Sequence, residues 1–491
     1  MSEELLVRCI YGGIVALITA FAVFFRFDEG IGTEVSEPKH QRYLPYLNYY
    51  MLPHFLLIIS VLGMIDLGFH DAAGLMLSCC FSIFLQISIY YPLLFLLLPF
   101  LRKVISARAC AMLWLIPNFL YAVPKSALEL PNPLFVITTK GNLIWILFGI
   151  WFLGFMAVMV WKCVEHLIFR RQVLRNAKPV TDPEILRIWK NKLEYVKFKR
   201  PRFRLLTSVD ISSPLTIGVF NRSICVVLPE KPYTTEELQL ILLHELVHIG
   251  RQDAGNKFFM VFCSAMCWFN PLMWIAMRKS AEDLELSCDE TVLLYTTDTI
   301  RKRYATLLLD TAGDERGFTS CLSVTAKAMR YRLRSITNAK KKRSGALIVG
   351  LAFFLLYISS GYVALAYNGN TGNQLVYHGQ DYSQYSIHSM GLHDGRSYSV
   401  CKNFDEEALH EYIAGLTLYE VTGNYSLSSS KTYLSYYMDT PYGSAIVILN
   451  DNVVTISPRS DASLTREHFY IPEGVDWSYL KSIIHPQQTQ S

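Results

Sequence analysis

Two histidines one helical turn apart, with a glutamate between them, are the residues of this sequence best suited to chemistry. They lie in the stretch His244-Glu245-Leu246-Val247-His248. Side chains at positions i and i+4 of a helix share one face, so both imidazoles can bind one cation. Glu245 is placed to reach a water on that cation, and a carboxylate there can take the proton of the water. The spacing therefore predicts a metal-dependent hydrolytic site.

A catalytic zinc ion takes three protein ligands and a water, so a further ligand is expected from another element. The helical pattern over Ser280–Tyr295 supplies the acids. We expect Glu285 to be the third ligand and Asp289, four residues later on the same face, to orient a ligand histidine. Glu282 is the competing ligand, and Cys288 is a third option that we interpret as a buried thiol. The HExxH pattern is the zincin motif, and the predicted metal is Zn²⁺.

The histidine pair needs a helix, and the sequence predicts one over Pro232–Gly250. Thr234 and Glu237 have the spacing of a capping box, and Gly250 is a stop signal. Upstream, Phe203–Leu206 and Ile217–Leu228 have strand character. A strand edge beside such a helix can bind an extended substrate, and a purely structural sheet fits the pattern equally well.

The segment Phe258–Met277 is apolar enough to resemble a membrane span. If it crossed the bilayer, however, His244 and His248 would lie on one side and Glu285 on the other. Asn270-Pro271 interrupts the segment, as expected of a turn between two helices. We therefore predict a helix–turn–helix that lies in or against the membrane and places the site near the inner leaflet.

The composition favours a membrane protein. The chain has 491 residues, of which 52% are hydrophobic and 18% charged, whereas soluble domains average about 25% charged. These values exclude collagen-like, disordered and small disulfide-rich proteins. The net charge of +5 clusters beside apolar runs, which favours a membrane surface over nucleic acid. The eleven cysteines form no CxxC pair, so we expect free thiols.

Six apolar runs are predicted to span the membrane. A cleaved signal peptide is the alternative for the first run, but Glu3 and Glu4 and the continuing apolar run favour a retained span. Basic residues cluster after residues 101 and 164 and before residue 345, so the positive-inside rule places these ends in the cytoplasm. The six runs are Leu5–Phe25, Tyr49–Phe69, Ala73–Leu101, Cys110–Val123, Leu143–Val164 and Gly345–Tyr367.

The predicted fold is a multi-pass α-helical membrane protein with two α+β domains. Residues 1–164 form an N-terminal transmembrane region, 165–344 a cytoplasmic, gluzincin-like zincin domain, 345–367 the last span and 368–491 a small extracytoplasmic domain. In the outer domain we expect helices and strands at Glu406–Gly415, Thr432–Met438, Ala445–Leu449, Val453–Ile456 and Trp477–Ile484. The outer tyrosines could bind a ligand, although core and surface roles are the preferred interpretation.

At these motifs the sequence resembles the BlaR/MecR-type membrane zinc metallopeptidases. The resemblance is dense over residues 205–290 and rests on the HExxH helix and the motifs on either side of it. It implies a sensor–transducer in which an outer signal activates an inner protease, which then cleaves a cytoplasmic repressor, itself or both. The motifs are Thr235-Glu236-Glu237-Leu238 through His248, Arg251-Gln252-Asp253 with Asn256, Trp268-Phe269-Asn270-Pro271, Glu285-Leu286-Ser287-Cys288-Asp289, Ser213-Pro214 with Gly218, and Val227-Leu228-Pro229.

By that resemblance, His244, His248 and Glu285 are the ligands and Glu245 is the general base. The sequence departs from the family in two extra N-terminal spans and in its outer domain. Ser428-Ser429-Ser430-Lys431 fits SxxK by letter, but no SxN or KTG element follows. We therefore expect an outer domain that does not bind penicillin.

The expected partners are a protein substrate, most simply a transcriptional repressor, membrane lipid and an unknown outer ligand, with no direct nucleic-acid binding. Two other functions stay open. One is a constitutive membrane protease for quality control or peptide processing, and the other is a non-catalytic membrane receptor, against which the complete set of ligands and base argues. A self-cleavage loop at Asp314–Ser323 is a guess without a motif.

Overall fold

A computed structural model of the chain describes residues 3–28, 58, 61–65, 68–122, 135–140, 143–196, 203–218, 223–293, 296–311, 326–337, 342–360, 363–395, 397–421, 432–458, 467–485 and 487–488. Most of the predicted span at 49–69 lies outside these residues. The suggested self-cleavage loop at 314–323 and the serine-rich stretch at 428–431 lie wholly outside them.

The N-terminal region is built from apolar helices, three of them long and one with nine residues. These are α1 (Glu3–Asp28), α2 (Gly68–Val104), α3 (Ala107–Leu115) and α4 (Leu143–Leu174). Of the described residues, Ala72–Val104 and Leu143–Leu174 are long and apolar enough to cross a membrane. The prediction of helices over Ala73–Leu101 and Leu143–Val164 is confirmed.

Two other predicted spans differ from the structure. The run Cys110–Val123 is not one spanning helix, because α3 ends at Leu115 and a 3₁₀ helix, Ile116–Ala122, follows. Pro117 lacks the backbone N–H that an α-helix interior needs. In place of a continuous span over Gly345–Tyr367, helix α11 (Ala346–Ile358) has 13 residues, and Val363 then begins strand β6 (Val363–Thr371).

The apolar residues after α11 form a strand because they are buried between neighbouring strands. Strand β1 (Phe135–Lys140), which directly precedes α4, pairs in parallel with β6, and β9 (Thr417–Val421) pairs on the other side. Ala366 and Tyr367 are buried on opposite faces of this central strand. A short apolar run cannot by itself distinguish a helix from a central strand. The predicted domain boundary at 367/368 therefore falls inside a strand.

The described residues of the central region form a four-stranded sheet and six helices. The sheet order is β2-β3-β5-β4, with β2 at Lys178–Pro179, β3 at Arg204–Ser208, β4 at Leu215–Ile217 and β5 at Cys225–Pro229. The single strand predicted over Ile217–Leu228 is wrong, because β4 and β5 are two antiparallel strands. The helices are α5 (Pro183–Tyr195), α6 (Thr235–Gly250), α7 (Asp253–Met266), α8 (Pro271–Val292), α9 (Asp298–Thr311) and α10 (Ala326–Thr337).

Helices α7 and α8 form the hairpin predicted at Asn270-Pro271. Asn270 caps α8 by accepting the backbone N–H of Leu272, and Pro271 is at the first helical position. The turn packs against the long apolar helices: Trp151 of α4 donates its indole N–H to the Met266 carbonyl, and Asn270 donates to Ser88 of α2. The hairpin turn therefore contacts both helices that are long and apolar enough to cross a membrane, while the Phe269 side chain of the turn stays exposed.

The C-terminal region is a ten-stranded sheet with helices packed on one face. Its order is β1-β6-β9-β13-β12-β11-β10-β7-β8-β14. The predicted helices Glu406–Gly415 (α13) and Trp477–Ile484 (α14) are confirmed, and their Leu409, Ile413, Leu480 and Ile484 are buried against the sheet. The remaining elements are α12 (Gly372–Leu375), β7 (Ser386–Asp394), β8 (Ser397–Cys401), β10 (Thr432–Thr440), β11 (Gly443–Asn450), β12 (Val453–Pro458), β13 (Glu467–Tyr470) and β14 (Gln487–Gln488).

Candidate metal centre

Helix α6 brings the two histidines together as its sequence predicts. The capping box is confirmed, since Thr234 accepts the backbone N–H of Glu237 and Glu237 accepts that of Thr234. The Nε2 atoms of His244 and His248 lie 3.1 Å apart. His248 and Glu245 are 4% exposed, so the site is shielded from bulk water.

Helix α8 places Glu285 opposite the histidine pair. Its Oε2 atom lies 3.7 Å from His244 Nε2 and 3.5 Å from His248 Nε2. Donor atoms that bind one zinc ion at about 2.0–2.2 Å lie about 3–4 Å from one another. The three atoms therefore have the chemistry and the mutual spacing that a zinc ion requires.

The competing ligands are less well placed. Glu282 forms an ion pair with Lys279 at 2.7 Å. The Cys288 sulfur belongs to a group, with His244 and His248, whose ligand atoms all lie within 4.8 Å of one another. However, this sulfur contacts His244 through Nδ1, at 3.4 Å, on the side of the ring away from Nε2. The geometry favours Glu285 over both.

Asp253 orients the second histidine. Its Oδ2 lies 2.7 Å from His248 Nδ1, which leaves Nε2 directed at His244 and Glu285. The contact depends on a tight turn between α6 and α7, in which Gln252 adopts a left-handed conformation with φ of 54°. Burial raises the pKa of Asp253, but Arg251 and His248 outweigh burial and lower it. The carboxylate is thus charged and can accept the Nδ1 proton.

Asp289 reaches the other histidine through a tyrosine. The Tyr304 hydroxyl donates to Asp289 Oδ1 at 2.7 Å and lies 2.8 Å from His244 Nδ1, whereas Asp289 itself is 3.7 Å from that nitrogen. Burial, and then Asp289, raise the pKa of Tyr304 well above its usual range, so the hydroxyl keeps its proton. Because Tyr304 donates to Asp289, its oxygen can accept the Nδ1 proton of His244.

Basic groups hold the acids of α8 in place. Lys257 of α7 lies 3.4 Å from Glu285 Oε1, on the side of the carboxylate away from the histidines. Arg332 of α10 binds Asp289 with two hydrogen bonds of 2.8 Å. Burial raises the pKa of Glu285, but His248 and Lys257 outweigh it and hold the pKa well below its usual range.

The negative potential of the site is visible at His244. Burial alone lowers the pKa of this histidine, but Cys288 and Glu285 outweigh burial and raise the pKa to about 10. A field that favours a proton at this imidazole also favours a divalent cation that replaces the proton.

Glu245 faces the sheet. Its Oε2 accepts a hydrogen bond of 2.5 Å from the hydroxyl of Thr216, on strand β4. Leu215 and Ile217, on either side of Thr216, are buried in the core, so Thr216 points to the other face of this edge strand. The carboxylate is thus held between the histidine helix and the edge of the sheet.

The structure brings His244, His248, Glu285 and Asp289 together, as the sequence predicts, but the sequence analysis assigned no role to four of their neighbours. Asp253 was recognised only as part of a motif. Tyr304, Lys257 and Arg332 carry no local signal, because each reaches the site from a separate helix. The need of buried acids for a basic partner is the one general signal that could have suggested Lys257 and Arg332.

Comparison with known proteins finds similarity in the region that contains this site. The family described as BlaR1 peptidase M56 matches residues 129–336, which include both site helices. The regulatory protein BlaR1 of Bacillus licheniformis is 26% identical over 185 residues, covering 38% of this chain and 30% of the relative. The BlaR1 of Staphylococcus aureus is 23% identical over 242 residues, covering 46% and 39%.

A methicillin resistance mecR1 protein of Staphylococcus aureus is 31% identical over 114 residues, covering 22% of this chain and 18% of the relative. The chain thus spans well under half the length of the relatives that it matches. The matched domain is that of a membrane-bound metallopeptidase, a class that implies a metal cofactor. Residues 129–336 thus resemble the peptidase domain of the BlaR/MecR-type M56 family.

Proposed function

We propose that this protein is a zinc endopeptidase of the membrane in which His244, His248 and Glu285 hold the metal. The observation that carries the proposal is the convergence of the two Nε2 atoms and Glu285 Oε2 within 3.7 Å. When bound, zinc polarises the attacking water and the scissile carbonyl. Glu245 takes a proton from the water and returns it to the leaving amine.

The other residues support these roles by orientation. Asp253 and Tyr304 fix the ring positions of the two histidines, since a partner on Nδ1 leaves Nε2 for the metal. Thr216 holds Glu245 on the side of the sheet, and burial excludes bulk water. The edge strand β4 next to Glu245 offers backbone groups to an extended peptide.

We infer further that the enzyme transduces a signal from the C-terminal domain and cleaves a cytoplasmic transcriptional repressor, itself or both. The β1–β6 pairing supports an outer position for this domain, since β1 precedes α4 at the end opposite to the basic cluster at Arg170 and Arg171. Arg102, at the predicted cytoplasmic end of α2, forms an ion pair with Asp283 of the metal-site helix at 2.7 Å. The two ends of the membrane region thus contact the two domains expected there.

The activity is tested with the Glu245→Gln variant. We expect it to retain zinc and lose cleavage, because the amide cannot accept the proton. Comparison of protein N-termini between cells with the wild-type and Glu245→Gln proteins should reveal termini present only with the wild type, and these identify the substrate. Cleavage retained by a folded Glu245→Gln variant contradicts the assignment.

The sensing role is tested by deleting the outer domain from residue 363 onward, because a cut at 368 would divide β6. A transducer is expected to lose its dependence on growth conditions. A constitutive protease, by contrast, should show the same cleavage with and without the domain under every condition.

A further inference from the structure

Four acids on one helix are each held by a base from a different part of the chain. Asp283 pairs with Arg102 of α2, Glu285 with Lys257 of α7, Asp289 with Arg332 of α10 and Glu290 with Lys342, which precedes α11. Helix α8 is therefore the point at which the membrane helices, the hairpin and the C-terminal connection meet. Glu285 is itself a proposed ligand, and the pair of Asp289 leads through Tyr304 to a second one, His244.

The guanidinium group of Arg332 is buried and lies next to two carboxylates. Its side chain is 9% exposed, and its Nε and Nη2 atoms bind both carboxylate oxygens of Asp289. The Nη2 atom also lies 3.8 Å from Glu285 Oε2. A two-point contact fixes the orientation of the carboxylate as well as its charge.

The fixed carboxylate determines where the tyrosine hydroxyl points. Asp289 Oδ1 accepts from both Arg332 and Tyr304, and Tyr304 in turn lies 2.8 Å from His244 Nδ1. Two side chains, Asp289 and Tyr304, thus join Arg332 to the imidazole. Displacing α10 would rotate Asp289 and remove the partner that holds Tyr304 against His244.

Helix α10 is followed in sequence by Lys342 and by α11, which precedes the C-terminal domain. Lys342 binds Glu290 at 2.6 Å, and the backbone of Arg343 pairs with Val104 and Ser106 at the end of α2. Helix α11 follows and leads into β6. Neighbouring residues Asp289 and Glu290 are therefore held by Arg332 within α10 and by Lys342 before α11.

We propose that Arg332 is a positioning residue for the metal centre, and that it makes the orientation of His244 depend on the placement of α10. The proposal rests on the proposed zinc site, and it assigns a role to a residue outside the ligand set. Its consequence is that zinc affinity, and not only cleavage, responds to changes at Arg332.

The test measures the zinc Kd of the purified full-length protein in detergent, by competition with a colorimetric chelator. Arg332→Gln is expected to raise the Kd about ten- to a hundredfold, the usual effect of removing a residue that orients a ligand. Arg332→Lys should recover part of the loss, because it restores the charge but not the two-point contact. Arg334→Gln, on an exposed position of the same helix, is the matched control and should leave the Kd unchanged.

A second variant tests the same connection with a smaller change, in case the Arg332 variants do not fold. Tyr304→Phe removes one hydroxyl and leaves the Arg332–Asp289 pair in place, and it should weaken zinc binding by a similar factor. Because both changes break the same connection, the double variant should lose much less than the product of the two single effects. The proposal would be overturned if the two single effects on the Kd multiplied in the double variant. It would also be overturned if folded Arg332→Gln protein kept the wild-type Kd. If the wild-type protein binds no zinc, or His244→Ala binds it normally, the proposed zinc site itself is wrong.

Discussion

The metal-site region and the C-terminal domain bury very different side chains. Around the metal site, the buried residues include charged groups from four helices: Glu245, Asp253, Lys257, Glu285, Asp289 and Arg332. In the described part of the C-terminal domain, the buried polar side chains are Ser399, His410, Asn450 and Thr455. Buried charges are costly unless they are paired, and replacing such pairs by apolar residues often stabilises a protein. The first region therefore buries charged pairs that are costly to desolvate, whereas the second has the apolar core of a structural domain.

The largest expected effect is the loss of the metal from Glu285→Gln protein. The amide removes the negative charge that faces both Nε2 atoms and leaves Lys257 next to a neutral group. We expect most of the bound zinc to be lost, as measured by elemental analysis, and cleavage to fall to background. Glu282→Gln is the matched control, since its carboxylate pairs with Lys279 one turn earlier. If Glu282→Gln lost zinc and Glu285→Gln kept it, the choice of third ligand would be wrong.

A core truncation in the C-terminal domain should separate stability from metal binding. Leu409 is fully buried on α13 among Ile413 and Leu480. Leu409→Ala is expected to lower the free energy of unfolding of this domain by about 2–5 kcal/mol. Zinc content should stay at the wild-type level, because the site is built from other elements. Unfolding is followed by tryptophan fluorescence, and a parallel loss of zinc would show that the two regions unfold as one unit.

The two regions also differ in how far the sequence predicts them. In the C-terminal domain, the sequence predicted α13 and α14 at their observed bounds, and the structure shows each of them capped by the aspartate that precedes it, Asp405 or Asp476. The same reasoning missed β6 and β7, and it did not predict that β1 joins the sheet across more than two hundred residues. The pairing of strands that are far apart in the sequence produces no pattern within the residues of either strand.

At the metal site, the sequence predicts the candidate ligands but not the residues that orient them. The HExxH spacing and the α8 acids are visible in the sequence because each lies within one helix. Tyr304 and Arg332 are not visible, because their roles depend on how α9 and α10 pack against α8. The residues that bear the chemistry were thus predictable, whereas those that orient them required the three-dimensional structure.

Asp253→Asn should weaken metal binding without removing a ligand. The amide can donate to His248 Nδ1 but its oxygen is a weaker acceptor than a carboxylate, so the ring loses part of its orientation. We expect the zinc Kd to rise about ten- to a hundredfold. The measurement is chelator competition, with Asp310→Asn on helix α9 as a control outside the site. An unchanged Kd would mean that the 2.7 Å contact to His248 does not orient the ligand.

Zinc binding should weaken as the pH falls. The pKa of His244 without metal is about 10, raised by Cys288 and Glu285 against the effect of burial, so this histidine carries a proton at pH 7 that must leave on binding. Apparent affinity should therefore increase as the pH rises toward 10, by about tenfold per pH unit for each proton released. Calorimetry at pH 6, 7 and 8 in buffers of different ionisation enthalpy measures the protons released. Binding without proton release would contradict this account of the site.

The smallest expected effect concerns an exposed ion pair. Lys481 of α14 and Asp394 of β7 lie 2.6 Å apart, closer than Arg332 and Asp289, yet their side chains are 41% and 47% exposed. Water and salt screen such a pair, so Lys481→Met should change the free energy of unfolding of the C-terminal domain by less than about 1 kcal/mol. Urea unfolding at low and high salt measures the difference, which should shrink as salt is added. A larger loss of unfolding free energy that does not depend on salt would show that the C-terminal domain also relies on its charged pairs. The two regions would then differ in their metal ligands and not in their use of charge.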